Sequence, residues 1–312
     1  MKLSNKKLIA GAVLSALGAV IAQPAMALVA ATSILDIDNF NFFQAGTTTN
    51  LVPGTDITII GSFTNTGALK ADYNGTTSSS GPVSQAGDVV LTQLCQGPDC
   101  AVYGENDYLT LPTAPPVNSF ASADMELTGS SLIAPGANAN SRADSGLLTD
   151  AFASSNADVG LISNFTFLNN NLTGLDVSFD AHAFVMVYTD PTDGAGSQGE
   201  ATTSWSITFS EVGGGTQVFT PNELNLNLKN DPTTAGLFGP LRTDSYGAPG
   251  ASLPILINVA LNVGSTYNVT IDHNSLETTN LRVVPIPEPG VLGLMGLGLI
   301  GLGALKKRKR VA

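Results

Sequence analysis

The chain has 312 residues, of which 43% are hydrophobic and 12% are charged, and its formal net charge is −12. This hydrophobic content excludes a disordered chain. The acidic balance argues against binding to nucleic acid or to anionic membranes, because each phosphate contact needs a cation to neutralise it. No repeat of fixed period occurs, so neither a solenoid nor a propeller has support.

The first 27 residues have the three parts of a signal peptide. Their positive charges are Lys2, Lys6 and Lys7. An uncharged apolar run from Leu8 to Ala22 follows, and Ala25-Met26-Ala27 is a cleavage motif of the A-x-A type. The apolar run is short for a permanent membrane helix. We therefore predict export through the Sec translocon and cleavage by signal peptidase after Ala27.

Strands predominate in the predictions for the first half of the body. Short apolar or alternating patterns predict strands at Ile34–Phe43, Ile57–Phe63, Asp88–Leu94 and Met125–Ile133. Lys70–Gly87 is rich in Gly, Ser and Thr, which predicts a loop. Asp36 and Asp38 could chelate calcium, but the glycine and the closing glutamate of an EF-hand loop are missing, so no metal site is assigned.

The two cysteines, Cys95 and Cys100, enclose a Gly-Pro turn. In an exported chain, a pair this close predicts a disulfide. A zinc site would need two further ligands, and the only histidines, His182 and His273, are far apart in sequence. A redox-active pair would have C-x-x-C spacing, which is absent. No metal or other cofactor is predicted.

Ser141–Asp158 is the best candidate for a helix. Leu147, Leu148, Ala151 and Phe152 recur at helical spacing, although Gly146 and several Ser and Asp residues oppose a helix.

The β pattern becomes clearer after this segment. Strands are predicted at Val159–Leu168, Leu175–Tyr188, Ile255–Val263, Tyr267–Asp272 and Leu281–Val284. Phe184–Tyr188 is apolar on both faces, which predicts a central strand covered on both sides. Trp205, Ile207 and Phe209 alternate with Ser and Thr, and the following Gly213–Gly215 predicts a hairpin turn.

Together these patterns predict a mainly β protein, in which residues 28–284 form an antiparallel β-sandwich of jelly-roll-like type. The fold prediction also includes a cleaved N-terminal signal helix and a C-terminal transmembrane helix.

Local motifs for catalysis are absent: no Gly-x-Ser-x-Gly, His-Glu-x-x-His or phosphate-binding loop occurs. His182 shares a predicted strand face with Asp180, and such neighbours are common on a solvated face. His273 follows Asp272 in a predicted turn, where no catalytic role is assigned to it. Trp205 alternates with core residues, so we interpret it as buried and not as a sugar-stacking platform. We predict no catalytic residues and no enzyme.

The end of the chain combines three parts without a gap. Pro287-Glu288-Pro289 should be extended and accessible, because proline disfavours helix in the residue before it. Gly290–Leu305 carries no charge and would reach roughly 24 Å as a helix, less than the ~30 Å hydrocarbon core. The last part is the basic cluster Lys306, Lys307, Arg308, Lys309 and Arg310. Such a cluster stays in the cytoplasm, which places the body outside.

Residues 285–310 resemble the PEP-CTERM sorting signal of Gram-negative bacteria, whereas a plain membrane anchor would need no Pro-Glu-Pro. The resemblance implies that an exosortase in the inner membrane processes the chain near Pro287-Glu288-Pro289. It further implies that the body reaches the cell surface or extracellular matrix, usually in exopolysaccharide producers. The Ala-Asp-Ser stretch within Ser141–Asp158 resembles a subfamily of exosortase-dependent surface proteins.

Without its two ends, the body carries five basic and 24 acidic residues, a net charge of −19. Three functions fit this body. The favoured function is a structural component of the surface or biofilm matrix, associated with exopolysaccharide. The alternatives are a carbohydrate-binding β-sandwich and, less favoured because no catalytic motif occurs, a secreted hydrolase whose site is not local in sequence.

Overall fold

Two antiparallel sheets dominate the computed structural model, which describes residues 27–282 except 101–102, 113, 116–117, 150–151 and 249. In chain order the strands are β1 (Ala27–Gln44), β2 (Ile57–Tyr73), β3 (Thr76–Gln85), β4 (Val89–Gln96), β5 (Phe120–Gly129), β6 (Ala137–Thr149), β7 (Ala153–Asn169), β8 (Gly174–Thr189), β9 (Gln198–Glu211), β10 (Thr216–Phe219), β11 (Asn227–Asn230), β12 (Leu241–Tyr246), β13 (Leu253–Ala260) and β14 (Thr266–Leu281). A short helix, α1 (Pro232–Phe238), precedes β12.

Each sheet has seven strands. Sheet A has the order β12-β8-β1-β6-β5-β4, and β13 lies beside β8 on the same edge as β12. Sheet B has the order β10-β9-β14-β7-β2-β3, and β11 lies beside β9. β1 and β6 of sheet A pack on β14 of sheet B, so the core lies between the two sheets. The predicted antiparallel β-sandwich is confirmed in these coarse terms.

Alternation along the strands builds this core. On β9, Trp205, Ile207 and Phe209 point inward while Ser204 and Ser206 are half-buried on the outer face. The Trp205 ring packs 4.8 Å from that of Phe179 on β8, measured between centroids. Burying each large apolar side chain stabilises the fold by about 1.5–3 kcal/mol. The interpretation of Trp205 as a core residue is confirmed, since only 2% of it is exposed.

The central strand β8 is covered on both faces, as predicted. Every residue from Ala181 to Val187 is buried. Its inner face joins the main core. On its outer face, Phe184 and Met186 pack with Tyr108 and Leu111 from a covering segment, residues 103–111.

The prediction of a loop over Lys70–Gly87 is wrong. β2 continues to Tyr73 and pairs with β3 as a hairpin at the edge of sheet B. Asn74 and Gly75 both have positive φ, 50° and 76°, which is the conformation of a two-residue hairpin turn. An edge strand needs few apolar residues, because much of its surface stays in water. The Ser/Thr composition therefore concealed a strand.

The prediction of a helix over Ser141–Asp158 is also wrong, because this stretch contains the end of β6 and the start of β7. Ser141, Ala143, Ser145 and Leu147 all face the opposite sheet, so the true period is two. Small polar residues occupy two of those inward positions, which hid the alternation. Phe152, counted toward the helical stripe, is 71% exposed.

Buried polar residues also explain why β14 was predicted as two strands. Tyr267–Asp272 and Leu281–Val284 were predicted as separate strands, but β14 runs without a break from Thr266 to Leu281. The polar stretch between them alternates too, with Ser275, Glu277 and Thr279 buried.

The two ends of the described body meet. Ala27 and Leu281 belong to one small apolar cluster with Val29 and Leu147. Both chain ends therefore lie at the same end of the sandwich. Within residues 27–282 no helix is long and apolar enough to cross a membrane. The predicted signal helix and the predicted helix over 290–305 lie outside the described residues.

Candidate functional site in the body

A cavity of about 230 Å³ lies between the two sheets. Sheet A contributes apolar side chains such as Ile37, Phe40 and Ala139, and sheet B contributes Phe63, Phe165 and Trp205. No Asp, Glu, Lys or Arg side chain lines it, although the body around it is strongly acidic. The cavity is therefore an uncharged, largely aromatic space inside the sandwich.

Two β-bulges flank this space, one in each sheet. In β1 the register shifts between Ile37 and Phe40, where Asn39 has a φ of 55°. In β2 it shifts between Ile60 and Thr64, where Gly61 has a φ of 83°. A bulge bends its strand and re-aims the neighbouring side chains. These two bulges set the positions of Phe40 and Phe63 on the wall of the cavity.

The cavity reaches the surface at one side of the sandwich. Gly87 and Gly129, which line it there, are both exposed. Asn65 Nδ2 donates a hydrogen bond of 2.7 Å to the Gly87 carbonyl, and the Gly129 amide donates one of 3.0 Å to Asp88 Oδ1. These two bonds fix the loops that form the opening.

His273 is the polar end of the cavity lining. Its Nε2 lies 2.7 Å from Ser141 Oγ, which in turn lies 2.7 Å from Ser275 Oγ. Burial lowers the pKa of His273 to about 3, against a weaker opposing effect of the Leu35 backbone, so the imidazole is neutral at physiological pH. The predicted turn at this histidine is wrong, because His273 lies within β14 and only 1% of it is exposed.

A serine beside a histidine is also the arrangement of a nucleophile and its base. Ser141 is fully buried, however, and His273 Nδ1 has no hydrogen-bond partner among the described residues. The third member that orients a catalytic histidine is thus missing from this part of the chain. The pair forms a polar contact between the two sheets. Sequence reading missed it, because 132 positions separate the partners.

A second buried polar contact continues the same row. Glu277 of β14 accepts a hydrogen bond from Ser145 of β6, whose Oγ also lies 3.0 Å from Thr279 Oγ1. Burial raises the pKa of Glu277 well above its ordinary value, which favours the protonated side chain. A neutral carboxyl in this position spares the core an unpaired charge.

The outer face of sheet A carries a different cluster, organised by Arg142 on β6. Its guanidinium lies 2.6 Å from Asp144 Oδ2, and it donates to the carbonyls of Asp107 and Thr110 at 2.7 and 2.8 Å. The Tyr103 ring stacks 3.6 Å above it, from guanidinium carbon to ring centroid. Arg142 therefore ties the covering segment to the sheet.

The Asp36-x-Asp38 pair lies on that same outer face. Asp36 is only 4% exposed, and burial, followed by repulsion from Asp38 and Glu126, raises its pKa to about 7. The Asn140 amide lies 2.6 Å from Asp36 Oδ1. No group of three or more His, Cys, Asp or Glu side chains in the described residues has the geometry to hold a metal ion.

His182 is the neighbour of Asp36 on β8. It was predicted on a solvated strand face, and that prediction is wrong, because His182 is fully buried on a face that residues 103–111 cover. Burial lowers its pKa to about 4. Neither ring nitrogen has a hydrogen-bond partner in the described part of the chain.

The remaining predicted residues are distributed as follows. Cys95, at the end of β4, is joined by a disulfide to Cys100 in the following loop. Ala27, the residue before the predicted signal cleavage, begins β1 opposite Thr149. Ala25, Pro287, Glu288, Pro289 and the cluster Lys306, Lys307, Arg308, Lys309 and Arg310 lie outside the described residues.

Comparison with known proteins adds one finding. Residues 285–309 match the PEP-CTERM protein-sorting motif. No curated protein and no solved structure matches the chain. The predicted resemblance of the tail is confirmed, and the chain carries the sorting motif of exosortase substrates. Membership of the narrower surface-protein subfamily stays a prediction, because the match does not reach the body.

Proposed function

We propose that this protein is exported, sorted and processed by an exosortase, and then serves as a structural component of the surface or extracellular matrix. The proposed host is a Gram-negative bacterium that makes exopolysaccharide. The observation that carries the proposal is the match of residues 285–309 to the PEP-CTERM sorting motif. A signal peptide at residues 1–27 and cleavage after Ala27 complete the proposed route.

The body has properties that suit such a role. Its strands form a sandwich with a large apolar core and a disulfide, which favour stability outside the cell. The two ends of the described body, Ala27 and Leu281, lie in one apolar cluster at the same end of the sandwich. The proposal includes no catalytic activity, and the buried state of Ser141 and His273 supports that part of it.

The test compares wild type with a triple variant, Pro287→Ala/Glu288→Ala/Pro289→Ala. Intact mass and C-terminal peptide mapping are recorded for protein from the membrane fraction, the cell surface and the medium. We expect surface wild type to lack everything after the Pro-Glu-Pro region and the variant to keep its tail in the inner membrane. The control is Pro254→Ala in the body, which should be processed like wild type.

The contrary result is clear. If wild type and the triple variant both retain Lys306–Arg310 in the membrane fraction, the proposed processing by an exosortase is rejected. The protein would then be a tail-anchored periplasmic domain, and its function would have to be sought in the body.

A second candidate function is carbohydrate binding, for which the outer face of sheet B is the favourable observation. Short polar side chains from neighbouring strands form rows there: Thr208, Thr270 and Asn164 in one, Ser210, Asn268 and Thr166 in the next. Thr270 donates 2.8 Å to Asn164 Oδ1, and Thr166 donates 2.8 Å to Asn268 Oδ1. The side-chain amide groups of the two asparagines remain as donors for a neutral sugar chain.

Retention on exopolysaccharide tests this candidate. Wild type should be retained and then released by free sugar, and Thr270→Val should be retained less. Thr243→Val, on the edge of sheet A, is the matched control and should behave like wild type. Equal retention of all three proteins, unaffected by free sugar, would remove this candidate.

A further inference from the structure

The cavity between the sheets has features that an ordinary packing defect lacks. Protein interiors are close-packed, and voids larger than a water molecule are few. Here a space of about 230 Å³ is set between two bulges and opens to solvent beside exposed Gly87 and Gly129. For scale, an engineered apolar cavity of about 150 Å³ stays dry and binds benzene.

The lining defines the chemistry of an occupant. None of the lining side chains is charged, and the one titratable group, His273, is held neutral by burial. An ion would enter without a partner for its charge, at a large cost in desolvation. Water fits poorly as well, because a bound water needs two to four polar partners and most of the wall is apolar.

Aromatic side chains make up much of that wall. Phe63 and Phe165 stack with 4.4 Å between their ring centroids, and Trp205 lies 6.2 Å from Phe40. Flat rings in these positions offer faces and edges to another ring at favourable distances. Ala137 and Ala139 line the sheet A side, where larger side chains would fill the space.

We propose that this cavity is a binding site for a small, uncharged, largely apolar organic molecule, about the size of one or two aromatic rings. The ligand enters between the loops at Gly87 and Gly129, and its inner end lies toward His273. The proposal concerns the body alone and is independent of how the tail is processed.

The chain supplies its own reporter, because Trp205 is its single tryptophan and lines the cavity. Bromobenzene, an uncharged heavy-atom quencher, is titrated against the full chain held in lipid nanodiscs while tryptophan emission is recorded. We expect saturable quenching. 4-Bromobenzoate has a similar ring but carries a charge, and it should give only weak, linear quenching.

Two variants that fill the cavity and one that does not complete the test. Ala139→Leu should weaken saturable binding at least about tenfold, since its added atoms occupy the ligand's space. Ala137→Val serves the same purpose where the larger change prevents folding. Ala68→Leu, on the outer face of sheet B, should bind like wild type. Linear quenching of wild type, or saturation unchanged in both filling variants, would overturn the proposal.

Discussion

At the scale of single residues, the body holds ionisable groups in places that ordinarily exclude charge. Asp36 and Asp193, both almost fully buried, have pKa values raised to about 7, chiefly by burial. His182 and His273 have pKa values lowered to about 4 and about 3 for the same reason. The acids and the histidines therefore tie stability to pH in opposite directions.

The sign for Asp36 follows from its raised pKa. Its folded state holds the proton more tightly than the unfolded state, so its contribution to stability is complete below about pH 4 and is lost as the pH rises through about 7. Asp36→Asn cannot ionise. We expect it to raise the free energy of unfolding at pH 8 by on the order of 3 kcal/mol, with little change at pH 4.

Urea unfolding at a series of pH values measures this effect. Asp244→Asn, at an exposed position on β12, is the control and should follow the wild-type curve. The free energy of unfolding of Asp36→Asn should still fall as the pH rises, but less steeply than that of wild type, because Asp193 remains. Equal pH curves for wild type and Asp36→Asn would show that Asp36 ionises without cost.

The histidines set the acid limit. Their contribution to the free energy of unfolding is complete above about pH 6.5. It is lost as the pH falls toward about 4 for His182 and about 3 for His273. His182→Leu removes one such group together with its two unpartnered ring nitrogens. We expect this variant to be more stable than wild type at pH 4.5, by about 1–2 kcal/mol. Thermal unfolding at pH 4.5 and 7.5 measures it, and a variant less stable at both values would contradict the prediction.

At the scale of elements, the β2–β3 hairpin depends on its turn. Gly75 has a φ of 76° and open space around the position of a Cβ, so backbone conformation is the one obstacle to a side chain there. Gly75→Ala should cost about 1 kcal/mol. Gly215→Ala is the matched control, because Gly215 also has open space around it but no positive φ. The free energy of unfolding of this variant should not fall. Equal effects of the two changes would show that the turn does not require glycine.

The same elements show what a sequence pattern can and cannot reveal. β9 was predictable because Trp205, Ile207 and Phe209, which face the core, are apolar and alternate with polar residues on the outer face. β6 was not, because Ser141 and Ser145 occupy inward positions and are satisfied by His273 and Glu277 from β14. Those partners are distant in sequence, so no local pattern identifies them. The cavity was hidden for a related reason: it depends on bulges, which shift register without changing composition.

At the scale of the whole molecule, the body is an acidic particle with few internal neutralising contacts. Among the described residues the one ion pair is Arg142–Asp144, which is buried. Most of the net charge of −19 therefore repels itself through solvent. Added salt shortens the screening length from about 30 Å at 0.01 M to about 3 Å at 1 M.

We therefore expect the unfolding temperature to rise with sodium chloride over that range. A variant with three exposed acids removed, Glu105→Gln/Glu223→Gln/Asp244→Asn, should start at a higher unfolding temperature and respond less to salt. Differential scanning calorimetry measures both proteins. An unfolding temperature that is constant or falls with salt would show that the acidic groups are already compensated within the fold.

The position of β14 has a mechanical consequence. This strand lies inside sheet B, hydrogen-bonded to β7 on one side and β9 on the other along nearly its whole length. The chain that carries the sorting motif follows it directly. A pull through that chain would load β14 lengthwise, and hydrogen bonds that run perpendicular to the strand would share the force instead of breaking one after another. A body fastened at this point would resist the drag of flowing medium in shear, the direction in which a sheet is strongest.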